Sequence, residues 1–416
     1  MQILNQASLA KISILEKTFI VILCIVFIVN LMKPLMDFYF GIEHTSLTIF
    51  QFFLLFLFYF IKKTKSLTFS HLEWSFLFFL LMRYLVEIFT FEVGFFQPTS
   101  SLMLFIILIL GVNFFVNYKH GEIFYHKLNG ILWIYFILTI IISVLQLTNS
   151  HVGGIFANYG GNRMSGNIYG ITRCTGGIGG TVVDYAMLII FYTLLYTTYK
   201  HKGIKNIIYL FSLIIASILV FSRVVFLVFL ILLTLYILQN MLTVKKTRSF
   251  VVITTFTILI VTLMNVYYDE FKVFLYYDSY SKTSDEERMI QWENVIEELG
   301  NTSYIIGHSM GRNTGVTSET VGRKIVADGH FQGFLSDYGI VGLCLYVMYL
   351  LCSVYKAVNK KIEGILFILI LFTSLIINSG FEKFFNIYVF PIILFIVRQN
   401  FLMREKENYL QSALSS

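Results

Sequence analysis

The stretch Asp328-Gly329-His330-Phe331-Gln332-Gly333-Phe334-Leu335-Ser336-Asp337-Tyr338-Gly339-Ile340-Val341-Gly342 runs from a polar loop straight into apolar sequence that continues to about residue 354. An apolar run of about 20 residues is what a helix needs to cross the hydrocarbon of a bilayer at about 1.5 Å per residue. An ionisable side chain, His330, is thereby placed at the mouth of a predicted membrane helix. In a chain of this character, that is where chemistry belongs.

Working outward from that segment, the whole chain repeats its pattern. It is 57% hydrophobic and 13% charged, with a mean hydropathy of +0.76, which excludes an ordinary water-soluble globule. With 3 prolines and no Gly/Ser-rich or Pro-rich linker, residues 1–416 read as a single integral domain. Apolar runs predict spans near 18–36, 47–61, 72–94, 101–117, 129–147, 182–199, 206–221, 222–240, 250–267, 333–354, 362–379 and 385–402. The fold class expected is all-α, a polytopic membrane helix bundle of about twelve transmembrane helices with two larger external loops. Because the second run is short and the third partly polar, ten or eleven crossings with a re-entrant piece is an alternative.

The positions of Lys and Arg give the orientation, since cytoplasmic connections retain them. With the N-terminus inside, the inner connections hold Lys62-Lys63-Thr64-Lys65, residues 118–127, residues 200–205, Lys245-Lys246-Thr247-Arg248 and residues 356–361, all of them basic, and the tail with Arg398, Arg404 and Lys406 is inside as well. The formal charge of +7 is then a topological signature, and no nucleic-acid partner is expected. The first span is too long for the core of a cleavable signal peptide and is expected to stay. Cys24, Cys174, Cys344 and Cys352 are scattered, so neither a disulfide framework nor a metal site is expected.

Two external connections exceed turns. Residues 148–181 form a Gly-rich loop, and residues 269–332 form a larger one with much of the chain's acidic content. In the second, Ser284-Asp285-Glu286-Glu287 reads as a capping box, after which Met289, Trp292, Val295, Ile296 and Leu299 recur at helical spacing until Gly300. This predicts an amphipathic helix in which Trp292 either packs the loop or touches substrate.

Single cations mark the outer face. Arg173 stands in Ile171-Thr172-Arg173-Cys174-Thr175-Gly176-Gly177, where glycines let backbone N–H groups approach a ligand and an arginine pairs with phosphate; a solvated arginine on a loose loop is the plainer reading. Arg223, in Phe221-Ser222-Arg223-Val224, lies between two apolar runs and is held at headgroup level, either to snorkel to lipid phosphate or to bind an anionic substrate. Arg83 and Glu87 are four apart on one face of the third span and are assigned a structural, self-neutralising role.

The order of Arg173-Cys174-Thr175-Gly176, Ser222-Arg223, Arg288 and Trp292 ahead of Ile305-Ile306-Gly307-His308-Ser309-Met310-Gly311, and His330 leading into Tyr338-Gly339-Ile340-Val341-Gly342 resembles the O-antigen polymerase and ligase superfamily over roughly residues 150–400. The resemblance implies a bacterial glycosyltransferase of the cytoplasmic membrane, both termini inside and the active site on the external face. Its donor would be a polyprenyl diphosphate-linked oligosaccharide, and a sugar hydroxyl on a second lipid-linked unit would be the acceptor. Neither nucleotide sugar nor metal nor other cofactor is implied, and the partners are membrane lipid and a chain-length regulator. Arg173 and Arg223 would stabilise the departing diphosphate, and His330 would orient or deprotonate the attacking hydroxyl, a cap on the next helix being its plainer role. Arg288, His308, Arg312 and Trp292 would contact sugar or diphosphate. Ligase-like members commonly carry His followed by Asn where this chain has His330-Phe331, which tilts the reading toward the polymerase branch. A ligase is the nearest rival. A flippase is another, though it predicts an internal repeat that this chain does not display.

Overall fold

The computed structural model describes residues 12–42, 44–61, 69–90, 96–117, 122–148, 151–158, 174–176, 182–198, 204–220, 222, 225, 228–229, 231, 286, 289–290, 292–297, 299–300, 303–308, 310, 330–358, 388–400 and 402–403. Among these residues the protein is all-helical. The helices are α1 (Ile14–Phe40), α2 (His44–Ile61), α3 (His71–Thr90), α4 (Phe96–Asn117), α5 (Glu122–Leu147), α6 (His151–Asn158), α7 (Val182–Thr198), α8 (Ile204–Val220), α9 (His330–Val358) and α10 (Tyr388–Asn400). Among the described residues, four stretches are long and apolar enough to cross a membrane: Ile14–Phe40, Pro98–Val116, Glu122–Leu147 and Phe331–Ala357. Helices stand at nine of the twelve predicted spans; 250–267 and 362–379 lie outside the described residues, as does most of 222–240.

Local chemistry fixes where several helices begin. At α1, Ser13 Oγ accepts from Glu16 N at 3.2 Å while Ser13 N donates to Glu16 Oε2 at 2.9 Å, and Ser70 with Glu73 repeats this reciprocal cap at α3. At the other end of α1, Gly41 N–H closes onto Asp37 O at 2.9 Å.

Polar contacts between helices define their directions. Lys33 of α1 donates to Thr48 of α2, Tyr84 of α3 meets Thr99 of α4, and Tyr196 of α7 donates to Asn206 of α8, so these pairs are antiparallel. Tyr125 of α5 bonds Asn400 of α10, and Lys356 of α9 lies 3.8 Å from Glu73 of α3. The C-termini of α1, α3, α5 and α8 therefore share one end of the bundle with the N-termini of α2, α4, α7, α9 and α10. We call this the upper end. The short α6 lies there too, against α1 and α5.

Burial is sorted by helix. From Tyr185 to Tyr196 of α7, and from Tyr388 to Val397 of α10, nearly every side chain is enclosed. By contrast α3 presents Trp74, Phe78, Leu81, Met82, Leu85 and Phe89 outward, an apolar stripe suited to lipid. Aromatic contacts knit the interior. Trp133 stacks on Tyr209 with centroids 4.0 Å apart, and Phe334 stacks on Tyr338 and Tyr346 at 4.4 and 4.5 Å.

Candidate functional site

Two corners at the upper end hold the segments that the sequence singles out. The first is a latch on residues 174–176. Gln146, in the last turn of α5, accepts from Thr175 N at 3.1 Å and donates to Thr175 Oγ1 at 2.9 Å, and it donates again to Phe156 O at 3.4 Å. Cys174 N donates to Leu219 O of α8 at 3.0 Å, and Cys174 Sγ donates to Ser143 O. Burial pushes the Cys174 thiol up to about 12, so it stays protonated and serves as a donor, not a nucleophile. The Cys174–Leu219 bond fastens residues 174–176 to the last turn of α8, just ahead of Ser222, which is buried. Arg173 and Arg223 themselves lie outside the described residues.

The second corner is built on a break in α9. Gly339 has φ 66° and ψ −171° inside an otherwise helical run, and Gly307, in the turn that docks on it, has φ 80°. A Cβ on Gly307 would come within 2.5 Å of Gly339 N, and one on Gly339 would strike Ile305 O. Both positions need glycine for left-handed backbone and for space.

The break releases backbone groups, and all four find partners outside the helix. In an unbroken helix Ile340 N and Val341 N would bond Ser336 O and Asp337 O. Here Ile340 N donates to Tyr304 O at 2.9 Å and Val341 N to Ile305 O at 3.3 Å, while Ser336 O accepts from His308 N at 2.8 Å and Asp337 O from Arg83 Nη2 at 3.4 Å. Non-helical backbone at membrane depth is tolerated only when satisfied in this way. The docked turn is shaped by Ser303, whose Oγ accepts from Ile305 N and Ile306 N and whose carbonyl accepts from Gly307 N.

Charge is added from α3. Arg83 Nη2 lies 3.5 Å from Glu87 Oε2, and that oxygen also accepts from Met310 N at 3.1 Å. Arg83, Glu87, Gln332, Ser336 and Asp337 are all at most 3% exposed. Among the described residues Arg83 Nε and Nη1 have no hydrogen-bond partner, and neither does Gln332 Nε2. Three of the five guanidinium N–H groups are thus left over, and each buried orphan donor costs about 1–3 kcal/mol.

The predicted residues divide as follows. His330 opens α9 and is described by its backbone; the polar stretch from Gln332 to Tyr338 is already helical, so the expected loop ends before His330. His308 is half-buried and docked on α9 through its own N–H. Trp292 lies on helical residues, as expected, but it and Met289 and Ile296 face outward while Val295 and Leu299 are buried, so the apolar spacing serves two surfaces. Helical conformation extends through Gly300, and Tyr304 Oη donates to Ile296 O beyond it. Arg288 and Arg312 lie outside the described residues. The Arg83–Glu87 pair forms as its spacing predicts, and the structure adds the contacts to Met310 and Asp337. Sequence reasoning missed Gln146, Gln332 and the break at Gly339. A glycine interrupting an apolar helical run was the available signal for the last.

No protein-family model matches the chain, and no curated protein matches it. What the structure establishes by itself, among the described residues, is a helical protein with apolar spans suited to a membrane, in which residues 174–176 and 303–308 are fastened at one end of the bundle.

Proposed function

We propose that the protein is a membrane glycosyltransferase that polymerises lipid-linked repeat units, moving a glycan from polyprenyl diphosphate to a sugar hydroxyl on another lipid-linked unit. It works as a bundle of about twelve spans in a bacterial cytoplasmic membrane, with both termini cytoplasmic and the reaction at the outer face. The observation that carries this reading is convergence at the upper end. A backbone bond joins Cys174, which follows Arg173 in the sequence, to Leu219, four residues before Arg223, and His308 N donates to Ser336 O of α9. Arginines next in sequence to these bonded residues would suit the charge that develops on a departing diphosphate in a poorly hydrated site. A histidine at the helix mouth suits deprotonation of the incoming hydroxyl at neutral pH.

The test uses purified protein and polyprenyl diphosphate-linked repeat unit, with products resolved as a glycan ladder. Wild type is expected to give a ladder, and Arg223→Ala and His330→Ala, folded to the same melting temperature, are expected to give none. Transfer of one unit to a different acceptor would replace polymerase with ligase. Protein-dependent movement of the lipid across liposomes without any product would replace the enzyme with a flippase.

A further inference from the structure

The helix that carries Trp292 is sorted into three sides. Val295 and Leu299 are buried; Met289, Trp292 and Ile296, spaced by three and four, are exposed; and Glu286, Glu293 and Glu297 are exposed on the side next to these. Among the described residues Ile290 alone departs from the sorting, as it is apolar and exposed beyond the glutamates. A helix packed on a protein in water needs two sides, apolar inward and polar outward. A third side that is apolar and uncovered calls for a third medium. The stripe also continues past the helix. Tyr304 Oη donates to Ile296 O at 3.2 Å, and Tyr304, Ile305 and Ile306 are 47%, 64% and 41% exposed.

Backbone bonds fix the depth of this turn. Ile340 N donates to Tyr304 O and Val341 N to Ile305 O, so the turn lies against α9 at its break. From Ile340 onward α9 is unbroken, and it turns Val341, Cys344, Met348 and Tyr355 outward at helical spacing, the face that a span gives to lipid. At the lower end the Lys356–Glu73 ion pair marks the edge of the hydrocarbon, because a half-exposed ammonium does not stay inside it. Ile340 is sixteen residues above Lys356, about 24 Å along the axis, and the hydrocarbon is about 30 Å thick. The turn therefore lies about 6 Å inside the upper boundary, and a tilted α9 puts it deeper. Its backbone suits that place, since the N–H groups of Ile305 and Ile306 go to Ser303 Oγ and that of Gly307 to Ser303 O.

We propose that Tyr304, Ile305 and Ile306, with the stripe of Met289, Trp292 and Ile296, are embedded in the leaflet at the upper end and covered by phospholipid acyl chains. The described part of residues 286–306 is then an in-plane membrane segment hung on the break in α9, within the stretch 269–332 that the sequence assigns to an external loop. Val295 and Leu299 face protein, and the glutamates face water. Helices drawn to a membrane by charge are basic on the polar side, whereas this one is acidic, so apolar burial and the bonds to α9 hold it without headgroup attraction. This placement is independent of glycan transfer.

Tryptophan quenching tests it in full-length protein in phosphatidylcholine nanodiscs. Of the three tryptophans, Trp133 is buried, so Trp74→Phe leaves Trp292 as the reporter, and the emission further lost in Trp74→Phe/Trp292→Phe belongs to Trp292. Lipid brominated near the headgroup end of its chains is expected to remove most of that emission, and aqueous iodide to remove little. Ile305→Trp in the background lacking Trp74 and Trp292 is expected to behave in the same way, and Glu293→Trp in that background in the opposite way. Adding phosphatidylglycerol to the discs is expected to leave the quenching unchanged. Each variant must melt as wild type does; Trp292 needs only Trp74→Phe, so it decides the matter even where an introduced tryptophan disturbs the fold. Iodide quenching of Trp292 puts the stripe in water, and shielding from both quenchers puts it under another segment or a second copy of the chain. Relief of bromolipid quenching by an added polyprenol gives it to an isoprenoid chain, and dependence on phosphatidylglycerol makes it a headgroup contact. Each of these four results overturns the proposal.

Discussion

The latch at Gln146 and the corner at Arg83 both pin a connecting segment to helix ends on the same side of the bundle, yet they are chemically opposite. In the latch a neutral amide meets Thr175 on both its N–H and its hydroxyl, and the donors of Cys174 go to backbone carbonyls. The α3/α9 corner uses a buried ion pair, takes up four backbone groups released by a helix break, and still has donors left over. The difference separates two tasks. A closed neutral network fixes where the chain goes at little desolvation cost, whereas a charged network with unused donors is poorly justified by stability alone.

The comparison can be broken most severely at Gly339. Gly339→Ala places a Cβ against Ile305 O and Gly307 N and holds alanine at φ 66°, so we expect a loss of about 4 kcal/mol or more, read as failure to give a monodisperse, cooperatively melting protein. A variant that melts like wild type would mean that the docked turn is not required. Next comes the ion pair. Arg83→Gln alone strands the Glu87 carboxylate and should cost about 3 kcal/mol, while the neutral double variant Arg83→Gln/Glu87→Gln should return to within about 1 kcal/mol of wild type. Thermal unfolding of all four members of the cycle measures this, and additive losses would show that the pair is not coupled.

The latch should respond more gently. Gln146→Ala removes both bonds to Thr175 and should cost about 2 kcal/mol in the same unfolding assay, while lowering any activity that depends on Arg173. The smallest effect concerns alkali. With its thiol raised from 9.0 to about 12, Cys174 binds more protons folded than unfolded across that interval. Its contribution is therefore complete below about pH 9 and is lost as pH rises toward 12. Stability of wild type should fall faster than that of Cys174→Ala above pH 9, and Cys174 should resist iodoacetamide at pH 8 until the protein unfolds.

Most of the bundle was legible because span length, hydropathy and capping chemistry act locally. Ser13 with Glu16 and Ser70 with Glu73 announce helix starts within four residues, and the i, i+4 spacing of Arg83 and Glu87 announces their pairing. The corners were not legible for the opposite reason. Gln146 finds Thr175 29 residues away, and Glu87 finds Met310 N 223 residues away; no periodicity carries such information. The break at Gly339 was missed because the chain is helical on both sides of it, and only the docking turn from residues 303–308 satisfies the backbone groups that a break there releases. The outward turn of Trp292 shows the limit of spacing itself, since one apolar stripe at helical intervals is divided here between a buried and an exposed side.

The sequence separation at this corner also sets an order of assembly. Met310 and Asp337 are 223 and 254 residues downstream of their partners on α3, so that helix is synthesised long before either. During that interval the guanidinium has its own counter-ion one turn away, which lowers the cost of an apolar surrounding. The corner can close only after residue 341 has been made, and a chain that ends before it lacks the groups that close this end of the bundle.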